Sequence, residues 1–259
     1  MHFMFSFLKK KHCPHTAGKK VQVGWVLDAD KANFIWSAPE RLRPQGGESK
    51  HAKSISYCPA IIDHEMQMFQ VTCPVDLHLR LQMPSQTQEP ALINAASDGS
   101  SIRSKHLNQM LSIVPRKEWR HPDRPIIQFI TPYVFVSDDT AYINQTPPYC
   151  DFKSSTWPGL MIGGRFPTNI WPRQLMWAFE WHDTSRDLIV KRGDPFFYVS
   201  FETENPSRPV QMIEADMTPA LREYINGLSG VANYVNRTFS LFNVAKERRP
   251  KTLLVPKTR

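Results

Sequence analysis

Hydrophobic and polar residues alternate over many short stretches of the chain, and a two-residue period marks strands with one buried face. In VQVGWVLD (21–28), Val21, Val23 and Trp25 alternate with Gln22 and Gly24. CPVDLHLRLQM (73–83) sets Val75, Leu77 and Leu79 on one face and Asp76, His78 and Arg80 on the other. In QLMWAFEW (174–181), Leu175, Trp177, Phe179 and Trp181 oppose Gln174, Met176, Ala178 and Glu180; a row of such bulk belongs in a core. Residues 57–72 predict two more strands, and further short strand-like segments occupy 124–137, 140–145, 160–166, 187–192 and 195–203, separated by Pro, Asp or Gly turns. That spacing predicts a mainly β protein, an antiparallel sandwich or distorted barrel.

Two polar stretches, 43–54 and 84–105, read as loops, the second long and mobile. One segment has a helical period. Thr218 is placed to cap it and Pro219 to occupy its first position, and Leu221, Tyr224, Ile225, Leu228, Val231, Ala232, Val235, Phe239 and Phe242 recur at three-four spacing. This predicts one long C-terminal helix over about 218–245, with Leu228 and Val235 facing the sheet. Gly227 and Gly230 each weaken it by about 1 kcal/mol relative to Ala, so a break near them is expected. After Lys246, ERRPKTLLVPKTR carries two prolines and reads as an extended basic arm.

Composition agrees with many short elements, since 22 Pro against 11 Gly disfavour long helices. With 41% hydrophobic residues the chain has material for a core without staples, which excludes disorder and disulfide-scaffold classes. Charge is placed unevenly. The net +8 divides into +5 for residues 1–20, +6 for 237–259 and −3 for everything between. The reading is therefore one β-rich domain, 21–245, between basic arms at 1–20 and 246–259, the arms suited to nucleic acid or other anionic partners. Cys13, Cys58, Cys73 and Cys150 are scattered with no C-x-x-C pair, and the apolar start MHFMFSFL precedes its lysines, the reverse of a secretory leader, and is too short to span a bilayer. The expected location is the cytoplasm or a particle assembled there, with no membrane span.

The common nucleotide, hydrolase and zincin motifs are not in the sequence. Metal chemistry has its best candidates in Asp76 and His78, because residues i and i+2 of a strand share a face, with His64 or His182 as a third ligand. The order is D-x-H, and a polar strand face needs no metal, so neither a metal nor a cofactor is expected. The HCPH cluster at 12–15 lacks a second half at zinc-finger spacing, and Cys58, Cys73 and Cys150 would form a zinc site only if the fold gathered them. Trp157 and Trp171 each precede a proline, which predicts rim positions where, with Arg165 and Arg173, they would stack on a partner. Arg248, Arg249 and Lys251 are the corresponding candidates in the C-terminal arm.

The stretch TWPGLMIGGRFPTN (156–169), followed by KRGDPFFYVSFE (191–202), carries a Pro-Gly strand, a Pro-x-Asn element and a late Gly-Asp-Pro turn. Over roughly residues 119–216 this resembles a family of functionally uncharacterised β-rich proteins of bacteria and their phages. The resemblance implies a mainly β fold and no particular reaction. The Gly-Asp turn is also similar to one in the trimeric dUTPase-like barrel, but the Tyr-Arg-Gly and Arg-Ser-Gly stretches of that family are not in this sequence, so its activity is not implied. The expected function is binding or assembly without catalysis, as a homo-oligomer or with protein partners, with a phage particle as one setting for it. The alternative is a metal-dependent or nucleotide-processing enzyme using a polar barrel face.

Overall fold

The computed structural model describes residues 20–28, 36–43, 51–83, 90–96, 99–100, 102–232 and 238–258. In chain order its elements are β1 (Val21–Leu27), β2 (Glu40–Arg41), α1 (Pro59–Met66), β3 (Phe69–Thr72), β4 (Leu77–Gln82), β5 (Ala91–Asn94), α2 (Ser104–Met110), β6 (Leu111–Ile113), β7 (Ile126–Val136), β8 (Ala141–Thr146), β9 (Gly159–Ile162), β10 (Gly164–Pro167), β11 (Gln174–Trp181), β12 (Leu188–Val190), β13 (Pro195–Thr203), β14 (Val210–Glu214), α3 (Pro219–Ala232) and α4 (Thr238–Arg248). The fold is mainly β with curled sheets. No helix among the described residues is long and apolar enough to cross a membrane.

The first sheet has the order β14-β1-β7-β11-β9, with β6 sharing the β1 edge of β7; the second runs β10-β8-β13-β3-β2 and the third β12-β4-β5. Apart from the parallel β1–β14 pair, the ladders are antiparallel. The apolar faces of all three sheets meet in one cluster that includes Val23, Leu79, Phe129, Ile143, Trp177 and Phe197. The alternation read in β11 holds: Leu175, Trp177, Phe179 and Trp181 are all at most 1% exposed. Val75, Leu77 and Leu79 are buried together as expected.

The long strand β7 is covered on its outer side by two different structures. Val134 and Val136, near its C-terminal end, pack under Leu221, Tyr224 and Leu228 of α3, Ala245 of α4 and Leu253 and Leu254. Ile126, at its start, packs under Val114 and Trp119 of the loop between β6 and β7. Between these covers the β7–β11 ladder is irregular: Gln174 faces Val134 and Met176 faces Ile130, so four residues of β7 oppose two of β11. The irregularity contains Pro132, which has no N–H to donate to a ladder. The neighbouring Thr131 hydroxyl, buried, donates instead to the Leu175 carbonyl at 2.8 Å.

Several sequence expectations need correction. Residues 59–66 form α1, not a strand, because Pro59 stands in the first turn where its fixed φ favours a helix. The 84–105 stretch is not a continuous loop: it contains β5, paired with β4, and leads into α2, since Leu92, Ile102, Leu107 and Met110 suffice to anchor it; residues 84–89 lie outside the described residues. The 160–166 segment divides into β9 and β10, which belong to different sheets. The crossing is at Gly163, where a Cβ would lie 2.8 Å from the Gln145 carbonyl oxygen, so the close backbone approach requires glycine.

The single C-terminal helix is two helices. The Thr218 hydroxyl accepts from the Leu221 N–H at 3.1 Å, as a cap should, and α3 continues through Gly227 to Ala232. On one unbroken helix Leu241 would point about 140° away from Leu228, at roughly 100° per residue; with α4 separate, both are buried. Val235 lies outside the described residues. The expected C-terminal arm also docks on the body. Leu253 and Leu254 are buried, Pro256 bridges to Ala215, and the Asp216 N–H donates to the Val255 carbonyl at 2.8 Å. Two leucines in the Lys/Arg-rich segment outweigh the preference of its charges for water.

Candidate functional site

The chain enters β11 through a turn that fixes two of the side chains singled out in the sequence. Thr168, fully buried, holds the Ala141 carbonyl through both its amide and its hydroxyl, at 2.8 and 2.9 Å, and the Trp171 N–H donates to the Pro167 carbonyl at 3.0 Å. The Tyr224 hydroxyl lies 2.6 Å from the Ile170 carbonyl oxygen and 2.7 Å from that of Ala245, joining α3, α4 and the turn. Burial pushes this phenol up to about 12, so it remains a donor at neutral pH. Trp171 is half-buried, with the edges of Phe166 and Phe242 at centroid distances of 5.6 and 5.3 Å.

Beside it the Arg173 guanidinium lies 4.8 Å from the centre of the Trp171 ring. The two line a cleft of about 240 Å³ between the start of β11 and α3, with Asp28, Gln174, Asn226 and Ser229 as its other polar walls. Asp28 is only 8% exposed and is already engaged, by Arg222 at 3.2 Å and the Gln174 amide at 3.1 Å. Arg173 makes one long hydrogen bond, 3.4 Å to the Gln174 carbonyl, and among the described residues no carboxylate pairs with it. Burial lowers its pKa from the usual guanidinium value, yet Arg stays protonated in proteins. The cleft thus holds a positive, planar donor fork that is partly withdrawn from water and stacked on an indole. An incoming carboxylate or phosphate would satisfy it in a bidentate way.

The other binding candidates lie elsewhere. Trp157 is in the core, 8% exposed, with its ring edge-on to Trp177 and Phe179, because the short 3-10 turn at Phe152–Thr156 tucks it under β11; the rim position expected for it is not observed. Arg165 lies 4.0 Å over the Tyr142 ring and forks Glu202 at 2.8 and 2.9 Å. Arg249 clamps the C-terminal segment, reaching the Asn169 carbonyl at 2.5 Å and Asp138 at 2.9 Å. Arg248 and Lys251 are exposed, Arg248 beside a separate groove that includes Glu223 and Tyr224.

The four metal candidates do not converge. Asp76 precedes β4 and accepts from the Arg192 amide at 2.8 Å. His78 Nε2 is 2.8 Å from Asp187, His64 Nε2 is 2.9 Å from the Tyr149 hydroxyl, and His182 faces Glu180 at 3.5 Å. Among the described residues no three His, Cys, Asp or Glu side chains are grouped to hold a metal. Cys73 is buried, donates to the Val75 carbonyl, and has its thiol pushed up to about 12 by burial, whereas Cys150 is exposed. The HCPH cluster lies outside the described residues.

At the far end of β11, Glu180 collects two guanidinium groups and an imidazole that sequence reasoning did not group. Arg120 and Arg124, from the loop before β7, lie 4.0 and 3.7 Å from its carboxylate, and His182 is the third. The signal was available as a local charge window: residues 103–124 carry six Lys/Arg against Glu118 and Asp123, inside a body whose overall sum is −3. No protein-family model matches the chain, and no curated protein matches it significantly.

Proposed function

We propose that this is a binding or assembly protein that takes an anionic group of its partner into the cleft lined by Trp171 and Arg173. The observation that carries the reading is Arg173 itself, stacked on an indole, partly desolvated and lacking a carboxylate partner among the described residues. A buried or half-buried guanidinium normally has an ionic partner, and at a recognition surface the partner comes from the ligand. Trp and Arg together are also the residue types that dominate binding hot spots.

The reading is tested by titrating the full chain with inorganic phosphate and with acetate at constant ionic strength, following the Arg173 Nε–H and Trp171 indole N–H by NMR. A saturable shift of both signals with one of the anions, lost in Arg173→Gln, is expected. If neither signal shifts, or the shifts persist in Arg173→Gln, the cleft is not the binding site.

A further inference from the structure

Residues 114–125 cross from β6 to β7 over the outer face of the first sheet, pinned at the centre by Trp119. This indole is 9% exposed, donates to the Val114 carbonyl at 2.7 Å and packs with Val114 and Ile126. Pro115, Pro122 and Pro125 restrict the backbone, and a hydrogen bond of 3.1 Å from the Arg124 N–H to the His121 carbonyl closes its last turn. With the indole turned inward, Lys117, Arg120, His121 and Arg124 are left exposed, together with Glu118 and Asp123.

Arg120, Arg124 and His182 share the carboxylate of Glu180, and none approaches it closer than 3.5 Å. One negative charge, itself buried, thus draws together two guanidinium groups whose donors are not consumed by it. The loop is thus net positive, with Arg116, Lys117, Arg120 and Arg124 against Glu118 and Asp123, on a body of slightly negative charge.

We propose that this loop, with His182 beside it, is a contact surface for the phosphate backbone of nucleic acid. Two arginine forks held within 4.0 Å of one carboxylate are close enough to bracket neighbouring phosphates of a strand. Trp119 is buried and offers no face for a base, so the contact is with phosphates and independent of sequence. Leu160, paired in register with Glu180 and 53% exposed, is the large apolar side chain beside the cations, too little to hold a membrane surface. This surface is distinct from the Arg173 cleft, which lies roughly 20 Å away along β11 at about 3.3 Å per residue.

The test is fluorescence anisotropy of the full chain with short labelled single- and double-stranded DNA over a range of salt. Lys117 makes no contact with Glu180, so Lys117→Gln leaves the buried carboxylate untouched; it is expected to reduce the log–log salt slope by about one. Arg120→Gln with Arg124→Gln is expected to weaken binding at least about tenfold at low salt. Unchanged slopes and affinities in both variants overturn the proposal, as does loss of binding only when Lys9, Lys10, Lys11 and Lys19 are replaced by Gln. Retention on anionic vesicles or by polyglutamate without DNA binding overturns it in favour of another partner class. None of these outcomes depends on Arg173.

Discussion

Asp28, beside the Gln174 end of β11, is 8% exposed, and Glu180, near the Trp181 end, is 6% exposed, yet the two carboxylates are compensated in different ways. Asp28 is held by close, directed bonds from Arg222 and Gln174. Glu180 sits among Arg120, Arg124 and His182 at 3.5 to 4.0 Å, too far for direct hydrogen bonds. The first arrangement engages its carboxylate and leaves a different cation, Arg173, without one. The second sets one negative charge among two guanidinium groups and an imidazole and hydrogen-bonds none of them directly. Both ends therefore hold more guanidinium than carboxylate, which under the two proposals is what keeps positive charge available to an external anion.

The apolar row between the ends is their common support, and removing its centre is the most damaging change. Trp177 is fully buried, stacks on Phe196 at 4.5 Å and donates to the Phe196 carbonyl at 3.0 Å. Trp177→Ala is expected to cost about 3–5 kcal/mol in chemical unfolding. It should also loosen both ends together, seen as faster amide exchange at Trp171 and at Glu180. Protection lost at one end alone would show that the two ends are not mechanically joined through β11.

The difference between the carboxylates is tested next. Asp28→Asn removes the charge from a directed, buried pair and is expected to destabilise by about 1–3 kcal/mol. Glu180→Gln removes no hydrogen bond to a charged group, and its two arginines are 48% and 64% exposed, so a change below about 1 kcal/mol is expected. Equal losses in urea unfolding of the two variants would break the comparison, because they would mean that the loose cluster binds its carboxylate as firmly as the close one.

How much of this was legible in the sequence follows from how local each determinant is. The β11 stripe and the Thr218 cap were readable because alternation and capping act over a few residues. The pairing of Asp28 with Arg222 joins residues 194 positions apart, and Glu180 receives cations from a loop before β7, so neither site has a local pattern. Trp157-Pro158 and Trp171-Pro172 look alike as dipeptides. They separate only because one follows a 3-10 turn under the sheet and the other a Thr168 turn facing α3. The C-terminal TLLV was misread because the lysines and arginines around it were weighted above two leucines that find a place on β14 and α3. Trp171 and Arg173 stood among the aromatic and basic candidates, but the cleft they line is closed by α3, which no spacing in 157–181 foreshadows.

Asp187 supplies an intermediate case, a carboxylate with close partners and 18% side-chain exposure, and the smallest expected effect. Arg80 forks it at 2.8 Å through both oxygens and His78 adds a third bond, which hold its carboxyl at about 2, below the ordinary value of 3.8. Since the folded-state value is depressed, the stabilisation is fully present above the unfolded value near pH 4 and is lost as pH falls toward 2. Arg80→Gln removes the largest cause of that depression, so the difference in stability between wild type and variant should be constant above about pH 4, shrink through the window and vanish below about pH 2. Urea midpoints collected from pH 5 to pH 2 measure it. Arg80 is 59% exposed, so solvent screens the pair and the constant difference should be smaller than that for Asp28→Asn. A difference that persists unchanged to the acid end would place the Arg80 contribution in packing of its stem on the sheet, and close directed pairing would then not be what separates Asp28 from Glu180.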